Sequence, residues 1–580
     1  MQPTSTTPDG PVPDVCVVGA GPVGLSLALE AARGGLRVLL LEAGHGARRA
    51  SGTPLDASAA TVVDPAVHAP FSVTTRLGLG GTSWVWGGRC VPFEATGLAR
   101  RDHVPFSGWP LTRADVAPFE QRAADHLDCG SAEFHTDPVD GWDESLVHTT
   151  QRERWSRRPA VARRLGARVR AHPGVSVLPD ATVTDVVLDP HGAAVRHVRV
   201  RRDGGETTVA ARAYVLACGG VATTRLLLNA RRTCPAAFGE PAGALGRFYM
   251  GHLTGSIADI VLDRPEDFAD WGLVRAEDGV AVRRRFTLSE RAQRDHRLLD
   301  TAFYLANLPF SDARHGNGAL SLFSLVLAAP GGLWRLVARA ETRRRNARWQ
   351  ALDWRAHRRN LTRRPHRVVR DVGAVVRLRL RDPRRREQFV LRTDTGTYAL
   401  RYHAEQVPDP DSRITLNHRT GSDGRPGIDV DLRYSSQDVD SVLRAHALLD
   451  GQLRANGLGR LVYRHPAGEL AAAVRDQTMD GYHQLGTTRM SSDPRDGVVD
   501  ADCRVHGVAD LYVASTSVFP AGGEANPTFM AVTLAVRLAH HLAGRLAGPE
   551  SRPVPADRVA PSPGDLPGTA AGHQDEDRQP

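Results

Sequence analysis

Apolar runs and their spacing divide the chain before any chemistry is considered. The first run, Val15-Cys16-Val17-Val18, is unbroken and passes into Gly19-Ala20-Gly21-Pro22-Val23-Gly24, followed by helical spacing to about residue 33. Gly34-Gly35 ends that helix, and a second apolar run over 37–41 closes on Glu42. Unbroken runs of this length read as strands buried on both faces, as in a parallel sheet. A capped helix is expected over 112–127. From 174 onward strands are expected at 175–178, 182–188, 195–201 and 207–216, with glycine turns between them at 189–192 and 203–205. The last strand ends in Ala217-Cys218-Gly219-Gly220, which opens a helix over 221–230, so the segment reads as a meander returning to the first sheet. Ser436 is placed as the cap of a helix to about 456, ended by Gly457. Near the C-terminus a short strand, Leu511-Tyr512-Val513-Ala514, precedes Asn526-Pro527 and a long apolar helix from 528 to about 542. Asn suits the N-cap and Pro the first helical position, so this helix start is an electropositive spot.

Composition changes this picture little. With 580 residues, two or more domains are expected. Hydrophobic content of 41% and charged content of 24% are those of a globular protein. The net charge of +9 comes from Arg rather than Lys, and such a balance speaks about solubility and non-specific contacts, not about chemistry. The six cysteines form no CxxC pair, the pattern of a reduced, cytoplasmic protein, and no metal site is expected. Residues 1–13 lack the layout of a secretory signal and read as disordered, as do residues 548–580. The stretch 331–390 is dense in Arg with helical spacing of Leu, Val and Trp. Its plain reading is a solvated amphipathic face. The sharper one is a membrane-interfacial or electron-acceptor docking surface. No nucleic-acid-binding module accompanies it, so no nucleic acid is expected.

The chemistry begins at the first turn. Strand, GxGxxG, helix, strand and acid in that order form the dinucleotide fingerprint. Gly19 allows the tight turn, Gly21 the approach of a pyrophosphate, and Gly24 close helix packing, with Pro22 and Val23 at the helix start. Glu42 is placed to accept from ribose hydroxyls. The loop Gly78-Leu79-Gly80-Gly81-Thr82-Ser83-Trp84-Val85-Trp86-Gly87-Gly88 crowds five glycines around two tryptophans. Backbone passing close against a flat ring system accounts for that crowding, and a flavin is such a ring system. Gly80, Gly81, Thr82, Trp86, Gly87 and Gly88 are the candidates there. Thr184, Ala217, Gly219 and Ser515 join them from the strand ends. His252 is read as a structural hydrogen-bonder, since nothing near it in sequence completes a catalytic pair.

Taken together, the blocks 19–42, 78–88 with Gly108-Trp109-Pro110, 217–252 and 482–542 resemble the glucose–methanol–choline oxidoreductases. Tyr482-His483-Gln484-Leu485-Gly486-Thr487-Thr488-Arg489-Met490 with Asn526-Pro527-Thr528 looks most like the pyranose-oxidase and sugar-dehydrogenase branch. The resemblance implies an α/β fold: a Rossmann-like FAD-binding domain over 14–255 and 479–547, with a sheet-plus-helices substrate domain inserted at 256–478. It implies oxidation of a CH–OH group on a sugar, glycoside, aminosugar or cyclitol, with O2 or another redox partner as electron acceptor. The family's catalytic pair falls on His483, as base, and Asn526, with Pro527 and Thr528 supporting the flavin. Pyranose oxidases attach FAD through a histidine in the glycine-rich loop; the corresponding residue here is Val85, so non-covalent FAD is expected. Many relatives carry Asp where this chain has Ser515. Steroid or aliphatic alcohols, and lyase chemistry without net redox, stand as alternatives.

Overall fold

A computed structural model describes residues 12–45, 53–54, 60–235, 237–238, 243–328, 353–381, 389–421 and 424–547. Residues 1–11 of the expected N-terminal tail, the whole expected C-terminal tail and part of the Arg-rich stretch lie outside the described residues. Five parallel strands form the first sheet, in the order Leu511–Val513, Ala213–Leu216, Val15–Val18, Val38–Leu41 and Val175–Leu178. The first strand and both its neighbours are wholly buried, which is why their sequences are unbroken apolar runs. An edge strand comes from the C-terminal part of the chain, so residues 511–513 complete a sheet begun at residue 15. Helices Pro22–Arg33 and Thr528–Leu546 pack on it side by side; a Cβ on Gly34 would stand 2.7 Å from the Cβ of Ala543.

The second large sheet is antiparallel and six-stranded, in the order Gly459–Tyr463, His252–Leu262, Thr397–Glu405, Thr301–Ala306, Phe286–Leu288 and Val147–His148. Alternation gives it two unlike faces. Leu253, Phe303, Leu305, Leu400 and Tyr402 point into a core closed by helix Ser436–Ala455 through Val442, Ala445 and Leu449. The intervening residues Thr254, Tyr304, Arg401 and His403 line a cavity between this sheet and the parallel one. The architecture is therefore α/β, a Rossmann-like sheet beside an antiparallel half-barrel.

Several expected boundaries shift for identifiable reasons. The strand expected over 207–216 is two strands, Gly205–Val209 and Ala213–Leu216. The first pairs in a three-stranded antiparallel sheet and the second enters the parallel one, so the chain must turn between them. The helix expected over 112–127 is broken at Ala117–Phe119, where Pro118 supplies no backbone N–H. Ser435, not Ser436, caps the helix after it, in a capping box with Asp438. No described helix is long and apolar enough to cross a membrane.

Candidate active site

The cavity has a volume of about 2580 Å³, several times that of a site for one small ligand, and its two ends differ in chemistry. At the nucleotide end, Gly19 has φ +105°, and any Cβ there would stand 2.7 Å from Ala217 O. Beside Gly21 the space is open, with nothing within 4 Å of where a Cβ would lie. Gly21 caps helix Pro22–Arg33 without a side-chain bond, and no acidic residue stands in the first turn. The free N–H groups of that turn open on the cavity, a fit for a pyrophosphate. Gly24 does not line the cavity; its Cβ would meet Gly19 O at 1.9 Å, so it serves close packing.

Glu42 lines the cavity and also holds the loop together. Its buried carboxylate accepts from the backbone N–H groups of Ala20, Gly44 and Gly78, each at 2.8 Å. Three of its roughly four acceptor positions are thus occupied by the chain, tying the fingerprint turn to the Gly78 loop. Gly81, Thr82, Trp86 and Gly87 line the cavity, as do Pro22, Val23, Ala217, Gly219, Ser515 and Thr528. Gly80, Gly88, Thr184 and Pro527 do not. Gly80 and Gly88 have positive φ and press on Ala162 and Pro159, so these two glycines shape the loop from behind. On the strand of Thr184, its neighbours Thr182 and Val183 form the wall instead.

At the other end stands His483. Asp480 organises it through an Asx turn: Oδ1 accepts from the N–H groups of Tyr482 (2.8 Å) and His483 (3.0 Å), and Gly481 takes φ +101°. Oδ2 accepts from His252 N (2.7 Å) and from His483 Nδ1 (3.0 Å). With the proton on Nδ1, the lone pair of His483 lies on Nε2, where Asn526 Nδ2 approaches at 3.3 Å. The orientation of that amide is set by Arg89, whose Nε donates to Asn526 Oδ1. Asn526 is consequently not the helix cap expected from sequence. Pro527 occupies the cap position, and Arg89 claims the oxygen that would have capped.

His252 is not the isolated hydrogen-bonder its sequence neighbourhood suggested. Its Nδ1 lies 3.1 Å from His483 Nδ1 and its Nε2 donates to Gly523 O (3.1 Å). The His403 ring packs against it, centroids 4.4 Å apart and planes tilted by 32°, and donates through Nδ1 to Glu524 O (2.6 Å). Burial pulls His252 down to about 3, helped by His483, and pulls His403 well below the ordinary value, helped by His252 and Arg89. Both rings are therefore neutral. For Asp480 burial acts upward, but His483 and then His252 outweigh it and hold the carboxyl at about 2. Burial likewise opposes the charge on Arg89, and Glu153 and Tyr304 restore it. Tyr304, flanked by Arg89 at 5.0 Å and Arg283 at 4.0 Å, is raised by burial yet brought to about 8 by Arg89, Arg401 and Arg283.

A base-ready imidazole, a fixed amide and a phosphate cradle in one cavity describe a dinucleotide-dependent oxidoreductase site. Residues 14–244 match the FAD-binding-domain profile, and residues 408–535 match the GMC oxidoreductase profile. The chain belongs to the GMC oxidoreductases. As such it is an FAD-dependent alcohol oxidase or dehydrogenase. It is 24% identical to the 6'''-hydroxyparomomycin C oxidase of Streptomyces lividus, over 89% of this chain and 88% of that protein. Shorter matches reach paromamine 6'-oxidase of Streptomyces fradiae (27%, 21% of each chain) and an alcohol dehydrogenase [acceptor] of Pseudomonas putida (29%, 21% and 24%). A solved formate oxidase shares the fold with a TM-score of 0.50 and 14% identity, over 93% of this chain and 99% of that one.

For this GMC enzyme the sequence reading passed over Asp480, Arg89, His403, Tyr304 and Arg401. Only Asp480 had a local signal, an Asp-Gly turn three residues before His483. Within the described part of the Arg-rich stretch, helix Trp354–Arg363 turns Ala356, Arg359, Asn360 and Arg363 to the cavity, so it helps to wall the site.

Proposed function

We propose that this enzyme oxidises a secondary or primary hydroxyl on a polar, polyhydroxylated substrate such as an aminosugar, glycoside or cyclitol. The observation that carries the substrate class is the cavity face of the antiparallel sheet, where Thr254, Tyr304, Arg401 and His403 present donors and acceptors instead of an apolar wall. A steroid or long aliphatic alcohol would set apolar surface against this polar wall and strip its water without replacing it. The relatives named as oxidases of hydroxyparomomycin C and paromamine support the aminosugar reading.

In this reading His483 Nε2 takes the hydroxyl proton as general base. Asp480 keeps the other ring proton on Nδ1 and steadies the imidazolium that forms. Asn526, held by Arg89, donates to the substrate oxygen and fixes the carbinol carbon. FAD, when bound, supplies the acceptor for the hydride leaving that carbon. Mixing the oxidised enzyme anaerobically with a panel of sugars, aminosugars, cyclitols, sterols and alkanols tests the class. Bleaching of flavin absorbance by polyhydroxylated members is expected; bleaching by sterols or alkanols alone overturns the proposal.

The FAD is held without a covalent bond. Val85 occupies the loop position from which a histidine would attach it, and lines the cavity with an inert side chain. Acid precipitation should leave the yellow colour in the supernatant. Colour retained in the washed precipitate refutes this.

A further inference from the structure

Three imidazoles meet at one buried point of this site, and alcohol oxidation uses only one of them. One ring nitrogen from each of His252, His403 and His483 lies within 4.8 Å of the others. His252 and His403 are each anchored by their far nitrogen to a backbone carbonyl, Gly523 O and Glu524 O, two consecutive residues. Those bonds fix the tautomers and leave lone pairs on His252 Nδ1 and His403 Nε2. His403 Nε2 is buried and has no hydrogen-bond partner. A lone pair left dry in this way costs about 1–3 kcal/mol unless something fills it. Far-nitrogen anchoring to carbonyls is also what orients imidazoles around a metal ion.

The geometry points to a site for a divalent transition-metal ion of the zinc class, held by His252, His403 and His483 with Asp480 beside them, whose occupancy switches alcohol oxidation off. Nitrogens bound to one zinc at about 2.0–2.1 Å stand roughly 3–3.5 Å apart. His252 Nδ1 and His483 Nδ1 are already 3.1 Å apart. Asp480 Oδ2, 3.0 Å from His483 Nδ1 and 3.9 Å from His252 Nδ1, stands beside two of the three nitrogens as a neighbouring negative charge and not as a fourth member of the cluster. A set of three imidazoles suits zinc, cobalt and nickel rather than magnesium or calcium. His403, His483 and Asp480 line the cavity, which gives the ion its way in.

The switch follows from proton counting. Without the ion, neutral His483 carries its proton on Nδ1 and offers the Nε2 lone pair to the substrate hydroxyl. An ion on Nδ1 takes the place of that proton, which moves to Nε2. The ring stays neutral and nothing is oxidised or reduced, but Nε2 now donates where it had accepted, so no base faces the hydroxyl. This inhibitory half rests on His483 being the base of the proposed oxidation. The binding half does not.

Cobalt(II), added to the FAD-loaded enzyme with no alcohol present, serves as the probe. One cobalt per chain with an intense visible d–d band is expected, displaced by zinc and erased by EDTA. His403→Phe and, separately, His252→Gln should each weaken cobalt binding at least about 100-fold, beyond what loss of an outer partner costs. Far-ultraviolet circular dichroism and FAD content identify a variant that has not folded, and the other then decides. Absence of the band in the wild-type enzyme, or equal affinity in a folded variant, overturns the site. With any alcohol that bleaches the flavin, saturating zinc should slow bleaching at least about 100-fold, reversibly with EDTA. Unchanged bleaching at full cobalt occupancy overturns the switch while leaving the site.

Discussion

His483→Ala should keep its FAD and reduce it about 100- to 10,000-fold more slowly than the wild-type enzyme, the loss expected when a positioned general base is removed. Retention of FAD follows from where His483 sits. Its side chain is 19% exposed at the cavity surface, and its hydrogen-bond partners are Asp480, His252 and Asn526. None of them belongs to the candidate phosphate cradle at Gly19–Gly21. The substitution leaves a small void on the site wall and removes no core packing. Stopped-flow absorbance under anaerobic conditions, with FAD stoichiometry read from the same sample, separates the two effects. Reduction at the wild-type rate would falsify the assignment of the base. Loss of FAD would show instead that the ring supports the cofactor.

How much of this site could be read from sequence depended on how local its physics is. The candidate phosphate cradle needs glycines at fixed short spacing between a strand and a helix, so the placing of Gly19, Gly21 and Glu42 on the cavity wall was legible, while the backbone N–H groups that Glu42 accepts from were not. The meeting of His483 and Asn526 at 3.3 Å was legible because each lies in a short distinctive segment. The capping role given to Asn526 failed for a non-local reason: Arg89, 437 residues earlier, binds its side-chain oxygen. His252 was misjudged on the same ground, since its partner His483 is 231 residues away. His403, Tyr304 and Arg401 became neighbours only through strand pairing, with Tyr304 opposite Arg401 and both Ala302 and Thr254 opposite His403. Alternation in those strands was visible in principle. Which face met the cavity was not, because that depends on helix Ser436–Ala455 covering the other one.

Asp480→Asn carries the second large effect, and it isolates the tautomer from the base itself. The carboxylate receives four donors: the N–H groups of Tyr482, His483 and His252, and His483 Nδ1. An asparagine keeps one acceptor oxygen and sets an NH2 group against two of those donors. The least costly escape is for His483 to accept through Nδ1 and carry its proton on Nε2, which removes the base without removing the ring. The same change beside the histidine of a Ser-His-Asp triad costs about 10⁴ in rate, and flavin reduction here should fall by about 100- to 10,000-fold. The carboxylate also leaves a pH signature. Asp480 sits at about 2 in the fold against an ordinary 3.8, so its pairing stabilises the protein above the ordinary value. That contribution is lost as pH falls from about 4 towards 2, and the asparagine variant has none of it to lose. The difference in Tm between wild type and variant should therefore be constant from neutral pH down to about 4 and shrink below it. A variant that reduces its flavin at the wild-type rate, or a difference in Tm that does not shrink, would show that Asp480 neither sets the His483 tautomer nor pairs with it as charged.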